Sequence, residues 1–408
     1  MKVLFITSTF PRSDSDTQVP WLSHLILELC KRGIAPLVFA PSYKGLPSHT
    51  YRGIPVVRFR YAPAPLEILT HEEGAVFKLR QRPWLSVLSI FYLCAGLMGL
   101  IRLRKKQFDI VHVQWPFPNG ILGLFAKLVF GAKLILTFHG AEFTLIRKVP
   151  LGNSILRYIL SKADQVIANS TFTRDLIHQI LRIPVYIIPF ASTVSVGQRA
   201  TFKRILSKKT FNILFVGRLI ERKGVQYLIW AFERLHKKNS NVRLDVVGNG
   251  PLLTQIKEQV DACGLHGVVR LYENIGEKEL VRFYQKSDLF VLPSIVDRWK
   301  DTEGLGVVLI EAMSFGIPVI ASNVGGIPSV VKHYENGLLV PQKDPVALAN
   351  AIDELIRNPN LAKRLGENGV SFVRKNYNWE SIVGKTIRLY NNPYDNITGS
   401  YGKRRRAT

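Results

Sequence analysis

The stretch "DTEGLGVVLIEAMSFGIP", residues 301–318, holds two carboxylates, Glu303 and Glu311, around an apolar run. Glu311 has only apolar neighbours in V-V-L-I-E-A-M, so its charge needs a cation, a hydrogen bond or a ligand as compensation. A helix starting near Val307 would make Gly304, Leu305 and Gly306 its N-terminal turn, whose unpaired amides can meet an anion. Glycines there let a bulky ligand come close to the backbone. Carboxylates on both sides of such a turn suit a sugar: they accept hydrogen bonds from vicinal hydroxyls, while the amides and helix dipole face a phosphate. The same residues also fit a plainer account, with Glu303 capping a helix and Glu311 partly buried and satisfied.

Three further stretches could join this chemistry. In "FVGRLIERKG", 215–224, Arg218 and Lys223 fall between a strand and a helix. A guanidinium fork and an ammonium point charge could grip a diphosphate there, or could be solvated surface charge. In "LTFHGAEFT", 136–144, His139 directly follows a strand and precedes Gly140. A single histidine can be structural, and its place at a strand end is what makes it a candidate. "VGNGP", 247–251, is a glycine turn after a strand, but it lacks the G-x-G-x-x-G spacing of a dinucleotide fingerprint, which disfavours an NAD-dependent oxidoreductase. "DSD" at 14–16 could hold a divalent cation or be a chance pairing in a polar loop.

These residues need strands that end beside them. "MKVLFITSTF", "PLVFA", "IPVVRFR", "FDIVHVQW", "AKLILTFHG", "ADQVIANS" and "VYIIPF" read as apolar strands, mostly separated by helical stretches such as "WLSHLILELCKRG". Continuous apolar strands alternating with helices predict a parallel sheet covered on both faces. The pattern breaks in the polar, basic "STVSVGQRATFKRILSKK" and then restarts with "FNILFVGRL". A helix follows with Val225, Leu228, Phe232 and Leu235 on one face. Asp344 and Pro345 open a later helix as cap and first residue. The expected organisation is an N-terminal Rossmann-like domain over 1–190, a linker over 191–209 and a second such domain over 210–375. A helix over 376–392 and a basic tail over 393–408 complete it. The fold class is α/β, two tandem doubly wound domains facing a cleft, with ligands beyond the carboxyl ends of the strands.

The 408 residues include 55 basic and 30 acidic ones, a formal charge of +25 spread over both halves. Such a field favours phosphates, nucleic acid or anionic lipid. Residues 78–106 hold seven basic residues and no acidic one, around an uncharged run from Pro83 to Ile101. That run can be a core helix, a helix lying in a membrane surface, or a span. Our expectation is partial burial with peripheral contact to an anionic membrane. The cysteines, Cys30, Cys94 and Cys263, are too scattered for a disulfide framework or metal pair, and the N-terminus lacks a signal-peptide pattern. A cytoplasmic protein, peripheral on the inner face of the membrane, is expected.

Together these motifs resemble the family-4 retaining glycosyltransferases (glycosyl transferases group 1), which have the GT-B fold. The most specific element is Glu, seven residues, Glu in "EGLGVVLIEAM", after "SDLFVLPS" and before "GIPVIASNVGGIPSVV", with "GRLIERKG" and "TFHG" in the expected order. The resemblance implies that Glu311 binds nucleotide ribose hydroxyls and that Glu303 holds the donor sugar, helped by Gly304, Leu305 and Gly306. It implies that Arg218 and Lys223 neutralise the leaving diphosphate and that His139 lines the reacting face of the sugar. It implies retention, no metal and no cofactor beyond the nucleotide-sugar donor, and transfer of a hexose to a saccharide or lipid-linked acceptor. The loop Phe10 to Pro20 lacks the frequent Gly-Gly pair, "IPFAST" replaces a common Pro-x-Gly-Val-Asp, and Ser329 stands where Glu is frequent. Other readings of the residues are a nucleotide-sugar epimerase or phosphorylase of the same fold, or a basic nucleic-acid-binding protein. The last lacks a recognisable module, and no nucleic acid partner is expected.

Overall fold

The computed structural model describes residues 1–14, 16, 18–71, 78–79, 81–194 and 210–391. Most of the expected linker and the whole basic tail lie outside the described residues, as do Ser15 and Thr17 of the N-terminal loop. The chain divides into two compact units, one of Met1–Pro189 with the C-terminal stretch from Trp379, the other Phe190–Asn378.

The first unit contains β1 (Lys2–Ile6), α1 (Pro20–Cys30), β2 (Ala35–Pro41), β3 (His49–Tyr51), β4 (Ile54–Phe59) and α2 (Ser86–Arg102). It continues with β5 (Ile110–Gln114), α3 (Pro116–Phe130), β6 (Lys133–Phe138), α4 (Ala141–Ile146), α5 (Gly152–Lys162), β7 (Gln165–Ala168), α6 (Thr171–Ile180) and β8 (Tyr186–Ile187). The sheet order is β3-β4-β2-β1-β5-β6-β7-β8. All pairings are parallel except β3 with β4. Apolar runs such as Val3–Ile6 and Leu134–Leu136 are buried because helices cover both faces. Leu22, Leu25, Ile26 and Leu29 give α1 its inward stripe.

The second unit contains β9 (Phe211–Val216), α7 (Val225–Lys238), β10 (Val242–Val247), α8 (Leu253–Ala262), β11 (Val269–Tyr272), α9 (Glu277–Lys286) and β12 (Leu289–Leu292). After these come α10 (Val307–Ser314), β13 (Val319–Ser322), α11 (Ile327–Val330), β14 (Leu338–Val340), α12 (Pro345–Arg357) and α13 (Pro359–Asn376). Its six strands are ordered β11-β10-β9-β12-β13-β14, parallel throughout. Val225, Leu228, Phe232 and Leu235 are buried, as their spacing predicts. The Asp344 carboxylate accepts from the amides of Val346 and Ala347, with Pro345 opening α12.

Asn376 closes α13, so the C-terminal helix α14 (Trp379–Asn391) starts three residues later than the expected 376. It belongs to the first unit, where it packs on α1, sets Trp379 against His24 in a tilted ring pair at 4.5 Å and bonds the Tyr390 hydroxyl to His112 Nδ1 at 2.7 Å.

Candidate active site

In the second unit the strand order reverses between β9 and β12, since β10 and β11 lie on one side of β9 and β13 and β14 beyond β12. Ligands of open parallel sheets bind at such a point, beyond the carboxyl ends of the strands. The loop after β9 carries Arg218, Arg222 and Lys223, and the loop after β12 carries Glu303 to Gly306. Gly224 ends the first loop at φ 67°, and a Cβ there would fall 1.9 Å from the Pro293 carbonyl oxygen. Glycine therefore lets the two loops touch.

Contact follows at once. Lys223 Nζ donates to Glu303 Oε2 at 2.5 Å, and Arg222 donates to the same oxygen at 3.1 Å. Arg222 also lies 3.8 Å from Asp301. Burial works against the Glu303 charge, but the Lys223 and Arg222 charges win and hold its carboxyl down to about 2. Burial lowers Lys223 despite Glu303. The Glu303 carbonyl accepts the Gly326 amide at 2.8 Å, which fixes the turn from below. Gly306 then caps α10 at φ 85°, a left-handed conformation that suits glycine, and α10 begins at Val307 as the sequence indicates.

Glu311 sits one turn into α10 and is 9% exposed. Its compensation comes from α9, where the fully buried Tyr284 donates to Oε2 at 2.7 Å. Oε1 has no hydrogen bond among the described residues. Burial pushes the Glu311 carboxyl up to about 7, against the Tyr284 hydrogen bond and the Lys223 field. Tyr284 is itself raised by burial and held by stacking on Phe315 at 5.2 Å. Leu305 is buried between the two acids in sequence.

His139 belongs to the first unit, directly after β6. Its Nε2 lies 3.0 Å from Gln114 Oε1, so Nε2 carries the proton in this arrangement. Gln114 reaches on to His112 at 3.1 Å, and His112 bonds Thr137 and Tyr390. The His139 ring shares a three-ring cluster with Trp21 and Trp115, its centroid 4.8 and 4.5 Å from theirs and the two indoles 5.5 Å apart. Trp115 holds a left-handed backbone (φ 51°), a strained state for a bulky residue. The His139 amide donates to Glu142 Oε1 at 2.9 Å. Burial, and less strongly His112, depresses His139 to about 3, so its imidazole is neutral. Burial pushes Glu142 up to about 7.

The structure thus brings Lys223, Glu303 and Glu311 into one electrostatic neighbourhood, with Arg218 on the same loop as Lys223 and its charge felt there. Gly304, Leu305 and Gly306 form the turn between the acids. Sequence reasoning missed Arg222, although it adjoins Lys223, and Gln114, although it ends an apolar strand. It missed Tyr284 because nothing in "EKELVRFYQK" marks one tyrosine as the partner of a later acid. Asp16 of "DSD" is taken by Arg12 at 2.7 Å, and among the described residues no three His, Cys, Asp or Glu side chains gather as a metal set.

Residues 21–190 match the family Glycosyltransferase Family 4, and residues 198–372 match Glycosyl transferases group 1. A solved sucrose-phosphate synthase from Thermosynechococcus elongatus superposes with a TM-score of 0.76 at 23% identity, covering 96% of this chain and 98% of that one. Two Rossmann-like α/β units of the GT-B class are therefore the fold of this chain. An uncharacterised glycosyltransferase of Methanocaldococcus jannaschii is 30% identical over 293 residues, 71% of this chain and 76% of the relative. A GDP-mannose-dependent alpha-(1-6)-phosphatidylinositol monomannoside mannosyltransferase of Mycobacterium tuberculosis is 28% identical over 298 residues, 70% of this chain and 77% of that protein. The chain belongs to the group 1, family-4 glycosyltransferases and is a transferase enzyme.

Proposed function

We propose that this enzyme moves a hexose from a nucleotide-diphosphate sugar to a saccharide or lipid-linked acceptor, with retention of configuration and without a metal. The observation that carries the reading is the Arg222–Lys223–Glu303 cluster at the strand-order reversal, beside the Gly304–Gly306 turn and Glu311. A carboxyl held at about 2 is an acceptor only, which suits the hydroxyls of a donor sugar. Lys223 would then be shared between Glu303 and the departing diphosphate, with Arg218 beside it. Fixed cations and the amides of the turn stabilise that leaving charge without reorganisation. Ionised Glu311 would accept ribose hydroxyls on Oε1 while Tyr284 keeps Oε2.

In the same reading the bond from the anomeric carbon to the diphosphate oxygen breaks as the acceptor oxygen attacks from the same face. The acceptor proton passes to the leaving phosphate. His139, neutral and packed against two tryptophans, would line the reacting face of the sugar; with its Nε2 proton directed at Gln114, it would act by packing rather than by proton transfer. The mannosyltransferase relative, named for GDP-mannose and a phosphatidylinositol mannoside, supports a nucleotide-sugar donor and a lipid-borne acceptor. A cytoplasmic location, peripheral on an anionic membrane reached through 78–106, belongs to the proposal, as does the lack of a nucleic acid partner.

A nucleotide-release screen over UDP-, GDP- and ADP-sugars tests the reading. One donor should turn over only with acceptor present, and Glu303→Ala and Glu311→Ala should each abolish it. Unchanged turnover in both variants would overturn the assignment. Turnover without acceptor would favour an epimerase, and a glycosyl adduct trapped on any carboxylate would sink the same-face step.

A further inference from the structure

Helix α2 carries two apolar faces. Leu88, Tyr92, Gly96 and Leu100, spaced by four, turn inward and are buried against α3 and β4. Gly96 is there because a Cβ would lie 2.8 Å from the Leu122 methyls. Trp84, Val87, Phe91, Cys94, Met98 and Ile101, spaced by three and four, run along the opposite side and are exposed. Ile90 widens that stripe and is 64% exposed. An outward stripe of this kind gains nothing in water, and single exposed apolar residues are ordinary whereas a continuous row is not.

The stripe ends in cations. Arg82 is exposed at its start, and Arg102, Arg104, Lys105 and Lys106 are exposed at its end. No acidic residue occurs between 78 and 106. Among the described residues no helix is long and apolar enough to cross a membrane, and α2 has 17 residues, about 25 Å of helix. A helix with its inner face committed to a core has only its outer face to give. Pairing with a second copy would bring cations against cations whether the helices ran parallel or antiparallel. An anionic surface with an apolar interior meets both features together.

We infer that α2 is the membrane-docking element of this protein, lying in the plane of an anionic bilayer with the Trp84–Ile101 stripe inserted among the acyl chains and the basic ends on the headgroups. The inference deepens the membrane part of the proposed function and rests on that part alone. Insertion to about 5–10 Å needs no rearrangement of the core, because the inserted side chains make no part of it. Docking by one helix of the first unit would hold that unit at the surface where a lipid-linked acceptor resides.

Co-flotation of the full chain with vesicles tests this, using phosphatidylcholine alone and with about 30% phosphatidylglycerol. Binding should be at least about 10-fold stronger to the anionic vesicles and should weaken with salt. The double variant Ile90→Asp/Phe91→Asp should lose about 10-fold or more of it while keeping its melting temperature and nucleotide-sugar binding. With Cys30→Ser and Cys263→Ser in place, an environment-sensitive dye on Cys94 should brighten and shift to the blue on the anionic vesicles. Equal vesicle binding by the double variant would overturn the inference. So would a dark Cys94 probe on bound protein, or a stripe-dependent dimer that ignores lipid. Vesicle binding by a chain that binds no nucleotide sugar would leave the inference standing and count against the proposed donor instead.

Discussion

At the carboxyl edge of the first unit, burial disfavours the charged forms of His139 and Glu142. His139 is depressed to about 3, and Glu142 is pushed up to about 7, each chiefly by burial. At the carboxyl edge of the second unit Glu303 is held at about 2 by two cations that share one of its oxygens. Both edges belong to sheets whose central strands are all parallel, so the fold does not set this difference. Placement of cations does: Arg222 and Lys223 occupy the loop after β9, whereas the ring of His139 meets Trp21, Trp115 and Gln114. Fixed charge suits a site where a phosphate departs, and a neutral, aromatic surround suits one that meets a sugar ring.

Removing the acid from the charged edge should break this contrast most. Glu303→Ala leaves two cations facing each other in a buried place, which costs about 3–5 kcal/mol and lowers the melting temperature by about 10 °C. Scanning calorimetry checks it, and Glu303→Gln should recover part of the loss. His139→Ala should leave donor affinity intact and reduce kcat by about 100-fold, as loss of a group that positions the reacting sugar does. Steady-state kinetics with separate donor binding reads the two effects apart.

The pH dependence of stability has opposite signs for the two acids of α10 and its turn. Glu303 lies below the ordinary glutamate value of 4.5, so its contribution is present above that pH and fades as pH falls toward about 2. Glu311 lies above it, so its contribution is full below 4.5 and lost as pH rises through about 7. Melting curves of Glu303→Gln and Glu311→Gln should each lose one of these slopes and keep the other. Tyr284→Phe sharpens the point. It removes a hydrogen bond to a charged acceptor, worth about 1.5–3 kcal/mol, and should move the pH profile of donor binding to higher pH without changing its limit. The smallest effect belongs far from both edges. Asp344→Ala removes the cap of α12, costs about 1 kcal/mol, and should leave kcat unchanged.

Much of this was legible in the residues. Apolar strands ending at TFHG, FVGRL and VLPS, the helix starting at Val307, and the Asp344 cap all follow from local pattern. Three features did not. The three-residue β3 is too short to show alternation. Tyr284 meets Glu311 only because α9 and α10 lie against the same sheet, a tertiary fact with no local mark. Tyr390 closes on His112 across 278 positions, so the return of α14 to the first unit was invisible. The 83–101 run was ambiguous for a different reason, since periodicity cannot tell an apolar face that is buried from one that is exposed.

The central claim is that the second unit holds a nucleotide sugar through the ionised carboxylate of Glu311 beside the Glu303–Lys223 pair. Calorimetric titration of the matching nucleotide sugar at about pH 6 and about pH 8 tests it most directly, because the diphosphate of such a donor is fully ionised at both. Affinity should rise about 10-fold between the two as Glu311 ionises, and Glu311→Gln should bind weakly and equally at both. Affinity that ignores pH, and is left unchanged by Glu311→Gln and Glu303→Gln, would contradict the account.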